Sequence, residues 1–238
     1  MRTQGTVGIY TLVAYVLGSA AAANAAAPVT PGPEYIIVEE EVWTVLADEP
    51  QQHFQAAHEG FVKKDLKAAA AEIRKGAAFV RLEAARAAGA SKDALAASIK
   101  ELDSLAGKVE AGGVTAAADL DHAFARAEHA LASAHLGRAK ESWAKKDLKR
   151  AGQALKAAAT SLEHALAWAG RTGKADVIAV AKDAGVVAGK LIEGTGWAAD
   201  ETAKAIEAVG AEIEKLGRAL SLHERLSVRW LNPMACLA

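Results

Sequence analysis

Seven histidines are the side chains of this sequence best suited to chemistry, and two of them are set apart by their spacing. His53 and His135 lie 82 residues from one another, and they are the only histidines that recur at that offset. An imidazole can ligate a transition metal or haem iron, or hold a proton near neutral pH. Two readings follow for the pair. Each is a neutral, hydrogen-bonded packing histidine at a helix crossing, or the two are ligands to a metal or haem, converging on it or recruiting a further donor. Covalent c-type haem is excluded, because no Cys-x-x-Cys-His occurs.

The other histidines offer less. Asp119 and His122 have the carboxylate-x-x-His spacing of di-iron bundles, but such sites take that motif from two helices together with inward-facing glutamates. Glu201 and Lys204 stand at the equivalent positions 82 residues on, so the pattern is not repeated. His122 and His129 share a helical face opposite Phe124 and Leu131, which predicts that both are solvated. His164 falls opposite the seam of Leu148, Leu155 and Leu162, and His58 is replaced by Lys140 at the offset, so both are expected at the surface. The sequence has no nucleophile elbow, no phosphate-binding loop and no His-Glu-x-x-His helix. The expectation is a protein without catalytic activity.

What would position these side chains is a set of alanine-rich helices. Apolar residues make up 52% of the 238-residue chain and aromatics only 5%, so the apolar content is largely alanine. Alanine favours helix, and its small side chain requires helices to approach closely. The pentapeptide Lys-Lys-Asp-Leu-Lys occurs at residues 63–67 and again at 145–149. At the same offset Phe61 matches Trp143, and Leu66, Ile73 and Val80 match Leu148, Leu155 and Leu162. Apolar character is kept while surface residues drift, which is the signature of an internal tandem duplication. The pentapeptide reads as a joint: one helix ends on the lysines and the next starts at Asp65 or Asp147 as N-cap. Ser91 is expected to cap a third helix, and Gly112 and Gly194 to stop helices. Helices are predicted near 51–64, 65–88, 91–110, 115–145, 147–170, 173–193 and 197–228. The fourth carries two successive apolar stripes facing different directions. The predicted fold is therefore all-α: a tandem duplicated antiparallel helical bundle of about seven helices with an 82-residue repeat, sharing a long central helix. Repeat 1 covers 51–137 and repeat 2 covers 133–228. Gly185 and Gly189, four apart, are expected to let a neighbouring helix come close.

The ends read differently. Residues 1–25 have a weakly positive start, an apolar run and Ala23-Asn24-Ala25, the pattern of a signal peptide cleaved after Ala25. This predicts a periplasmic or secreted protein. Residues 26–50 form a linker and an extended strap. Its stretch 35–46, opening on Tyr35 and closing on Leu46, is rich in β-branched and aromatic residues and offers an edge to a protein partner. Residues 229–238 form a tail that leaves the repeat pattern. The single cysteine, Cys236, has no intramolecular partner. A formal net charge of −1, with 28 basic and 29 acidic residues, argues against nucleic acid as a partner. The small charge and weakly amphipathic helices also make membrane association the less favoured case. The function expected from these features is binding or scaffolding by an exported helical-repeat protein. The alternatives are a metal- or haem-binding bundle using His53 and His135, and a lipid-associating helical protein.

Overall fold

Asp65 and Asp147 start helices, as their position after two lysines requires. The Asp65 carboxylate accepts from the Ala68 N–H at 3.0 Å and that of Asp147 from the Arg150 N–H at 3.2 Å, satisfying N–H groups that have no partner within the helix. The preceding helices end in the same way at both joints. Lys64 and Lys146 adopt left-handed backbone, with φ of 66° and 61°. The next amide then reaches back to close the helix, from Asp65 to the Gly60 carbonyl and from Asp147 to the Ser142 carbonyl, each at 2.9 Å. Lys63 and Lys145 are exposed and pair along their own helices with Glu59 and Glu141.

The computed structural model describes residues 49–170 and 175–231, with side chains as far as residue 221. The expected signal peptide and the strap at 35–46 lie outside the described residues, as do the tail residues beyond 231. The described chain is all-helical, with seven helices and no strand among the described residues: α1 (Glu49–Val62), α2 (Leu66–Arg86), α3 (Gly89–Glu110), α4 (Ala117–Ala144), α5 (Leu148–Trp168), α6 (Ala175–Glu193) and α7 (Ala199–Leu231). Each packs on its neighbour in sequence, and α4 also meets α1, α2 and α7. Gly112 and Gly194 end α3 and α6 at φ of 70° and 73°.

Two apolar cores result. One joins Phe54, Ile73, Val80, Leu95 and Leu102 to Leu120, Phe124 and Leu131 of α4. The other joins Ala125, Ala132, Leu136 and Ala139 of α4 to residues of α5, α6 and α7, among them Leu155, Leu162, Leu191 and Ile213. Trp168 packs against both. Its indole N–H donates to Gln51 Oε1 at 2.6 Å, and its ring meets Phe124 edge-on with centroids 5.1 Å apart.

Two expectations need correction. Ser91 is not an N-cap. Helix α3 begins two residues earlier at Gly89, whose φ of 54° turns the chain into the helix, and its capping position, Ala88, makes no side-chain cap bond. Gly185 and Gly189 do not mark a close crossing, since a Cβ at either would meet nothing within 4 Å. The buried face of α6 is that of Val177, Ala181, Ala184, Ala188 and Leu191, and Val186 beside the glycines is exposed. The close crossing in this bundle is at Gly152 on α5. A Cβ there would lie 2.7 Å from the Ala188 carbonyl oxygen and 2.9 Å from Leu191 Cβ.

Backbone blocks Gly152, so Gly152→Ala should lower stability by about 1–3 kcal/mol in urea unfolding. At the joints the opposite sign is expected. Lys64→Gly and Lys146→Gly each relieve a left-handed non-glycine residue and should raise stability by about 0.5–1 kcal/mol, read as a higher Tm.

Candidate functional site

Most of the buried and half-buried polar chemistry of the described chain lies along α4. This helix is tied through a charged or histidine side chain to five of its six companions. Asp121 faces His58 of α1 at 3.5 Å, and Arg138 pairs with Glu83 of α2. Arg126 pairs with Glu101 of α3, its Nε donating at 2.9 Å. Glu128 lies 3.8 Å from His164 of α5, and His129 bonds to the Ile213 carbonyl of α7 at 3.0 Å.

His135 is enclosed beside the Arg138–Glu83 pair. Arg138 donates to its Nδ1 at 2.7 Å, so the neutral ring carries its proton on Nε2. Burial, then the nearby Arg138 and Arg86 charges, push its pKa down to about 3. A metal cation at this ring would face the same two guanidinium charges. His53 sits elsewhere, in the cleft between α1 and α2. Its Nδ1 donates to Glu72 at 2.7 Å, and its ring stacks on Phe79. No hydrogen bond, ion pair or ring contact joins the two histidines. Among the described residues no group of three or more His, Cys, Asp or Glu side chains is placed to hold a metal ion.

His58, His129 and His164 are not solvated as the sequence predicts. His129 is wedged between α4 and α7. Its Nε2 donates to the Ile213 carbonyl, and burial holds its pKa below the ordinary value against that bond. The wedge exists because residue 217 is glycine, where a Cβ would come within 2.8 Å of the ring. His164 is half-buried against Glu128, and His58 is half-buried against Asp121 and 5.8 Å from Trp168. His58 is expected in solvent because Lys140 stands at its offset, and His129 and His164 from their opposition to an apolar stripe. That assignment assumes one neighbour per face, whereas α4 and α5 are packed on several sides.

The face of α4 carrying Asp119, His122, Arg126 and His129 lines, with α3, an open trough that α7 reaches only at its His129 end. One compartment, of about 540 Å³, includes Lys108, Asp119 and His122. A second, of about 710 Å³, includes Lys100, Ser98, His129, Leu220 and Ser221. Glu101, Ser104 and Arg126 line both, so the Glu101–Arg126 pair sits where the compartments meet. The stripe of Asp119, His122 and His129 is visible in the sequence. The contribution of Glu101 and Ser104 is not, because it requires knowing which face of α3 lies against α4.

Compared with family models, curated proteins and solved structures, this chain has no match. Among the described residues no helix is long and apolar enough to cross a membrane.

The buried histidines set a pH dependence with a definite sign. The unfolded chain binds a proton at His135 near pH 6.5, while the folded chain does so only near 3. The stability this residue contributes is therefore present above pH 6.5 and is lost as pH falls toward 3. His129, also shifted down, adds in the same sense. Denaturant midpoints should fall from pH 6.5 to pH 5, and the slope over that interval should be shallower in His135→Gln.

Proposed function

We propose that the protein is an exported helical-repeat module that binds or scaffolds other proteins and has no catalytic activity of its own. The observation that carries this is the agreement of the helices at the 82-residue offset. α2 (Leu66–Arg86) coincides with α5 (Leu148–Trp168) at both ends. The end of α1 coincides with that of α4, and the start of α4 with that of α7. Both joints repeat the capping aspartate, the left-handed lysine and the Lys–Glu pair.

The use of faces supports the same duplication. On α4, Leu120, Phe124, Ala127 and Leu131 belong to the first core, and Ala125, Ala132, Leu136 and Ala139 to the second. The first set recurs on α7 as Thr202, Ile206, Val209 and Ile213, all buried. The second set recurs there as Glu207, Glu214, Arg218 and Ser221, all exposed. α7 thus keeps the face that closes a bundle and lacks the one that opens the next. On α1 the opening face is present as Pro50, Phe54, Ala57 and Phe61, all buried. Two repeats joined by a shared spine and ended by a polar-faced helix make a short array, and such arrays serve as rigid binding surfaces.

Export is tested by N-terminal sequencing of protein recovered from the periplasm or medium, which should begin at Ala26. Protein retained inside the cell with residues 1–25 intact would count against it. For the binding reading, in-cell crosslinking should recover a defined partner protein in stable ratio to the chain. Turnover of a substrate by the purified protein, abolished by single side-chain changes, would overturn it.

A further inference from the structure

The trough runs between α3 and α4, and α7 lines only one of its two compartments. α3 belongs to the first core and α7 to the second, and both line the second compartment. Gly217, Leu220 and Ser221 are the α7 residues that reach the trough. Their register matches that of His135 and its successors on α4, where the chain opens a second bundle instead. The α7 end of the trough is thus a surface made by joining the two units, and clefts between packed units are a common place for ligands.

Its dimensions and chemistry narrow the occupant. Along α4 it runs from Ala118 to Ala130, about 18 Å at 1.5 Å per residue, the span of roughly five to six residues of extended chain at 3.3 Å each. It is open along its length, so an occupant keeps one side in water. Its charges alternate in sign: Lys100, Arg126 and Lys108 against Glu101 and Asp119. Arg126 and Glu101 neutralise one another, which leaves Lys100 and Lys108 against Asp119 and no field of a single sign for a polyanion or a polycation. The serine hydroxyls of Ser98 and Ser104 both donate and accept. His129 accepts only, because the Ile213 carbonyl fixes its proton on Nε2 and leaves the lone pair on Nδ1. At the α7 end Ala94, Ala97, Ala130 and Leu220 form a shallow apolar wall. Donors and acceptors of both kinds beside a small apolar patch match a peptide backbone carrying modest side chains.

We infer that this trough is the site where the protein takes its partner, as an extended, near-neutral peptide segment lying along the groove between α3 and α4 with one end against α7. The inference rests on the binding reading above and places it on one surface.

A random heptapeptide phage library, selected on the chain lacking residues 1–25, tests it. Ser104 lies where the two compartments meet and Ala97 on the apolar wall, and both are exposed. Ser104→Trp and Ala97→Trp therefore fill the trough without entering a core. Ala96→Trp, an exposed position on α3 outside the trough, is the control. All three variants should keep the wild-type Tm to within a few degrees. Selected peptides should bind wild type and Ala96→Trp alike, and Ser104→Trp and Ala97→Trp at least tenfold more weakly. Peptides that bind all four proteins equally would leave a binding protein standing but overturn the trough as its site. Failure to enrich any peptide would overturn the peptide assignment, while the crosslinking experiment still decides whether the protein has a partner at all.

Discussion

An alanine-rich core stabilises a fold only if its helices come close, and in this protein that requirement falls hardest on α4. A helix of larger residues could fill two cores with long side chains. Here Ala125, Ala127, Ala132 and Ala139 occupy much of both contact faces, and each buries little area, so small separations between axes must supply the dispersion contacts. Glycines elsewhere serve the same end: Gly76 lets an edge of the Phe54 ring come close to α2, and Gly152 brings α5 onto α6. Where two backbones approach this closely there is little freedom to repack, and the positions that touch are set by shape more than by hydrophobicity.

The polar ties along α4 follow from its place at the centre. A helix with neighbours on most sides cannot send all its charged residues to water, so each must find a partner on the helix it faces. Glu83, Glu128 and His135 are almost completely enclosed. Breaking such a pair leaves a charge in a poorly solvated place, so the pairs constrain the alignment of the helices even where they add little net stability. Trp168 acts similarly in apolar form, filling space between the two cores while its one polar atom is held by Gln51.

The seven helices, though not all of their ends, and both capping aspartates were readable from the sequence, because caps and apolar spacing are local signals. The two stripes of α4 were readable for the same reason. What escaped depends on the third dimension. His129 and His164 are expected in water from the apolar residues on their own helices and His58 from the lysine at its offset, and each is half-covered by a neighbour that a helical wheel cannot show. Gly217, which makes room for His129, lies 88 residues away from it in sequence. The spacing of His53 and His135 suggested one shared role. In the fold they have different partners, a carboxylate in one case and a guanidinium in the other. On the proposed duplication, a position keeps its place on the helix while the residues around it are free to change.

The charged outer face of α7 has a consequence for how such a chain could grow. On the proposed duplication, a unit added after α7 would have to pack against Glu207, Glu214 and Arg218 and would find no apolar surface there. A unit inserted in the interior, bringing with it another helix of the α4 kind, would meet compatible faces on both sides. Lengthening by insertion is therefore tolerated where lengthening by addition is not. Longer versions of this architecture should differ in how many spine helices they hold, with the first and last helices left as they are.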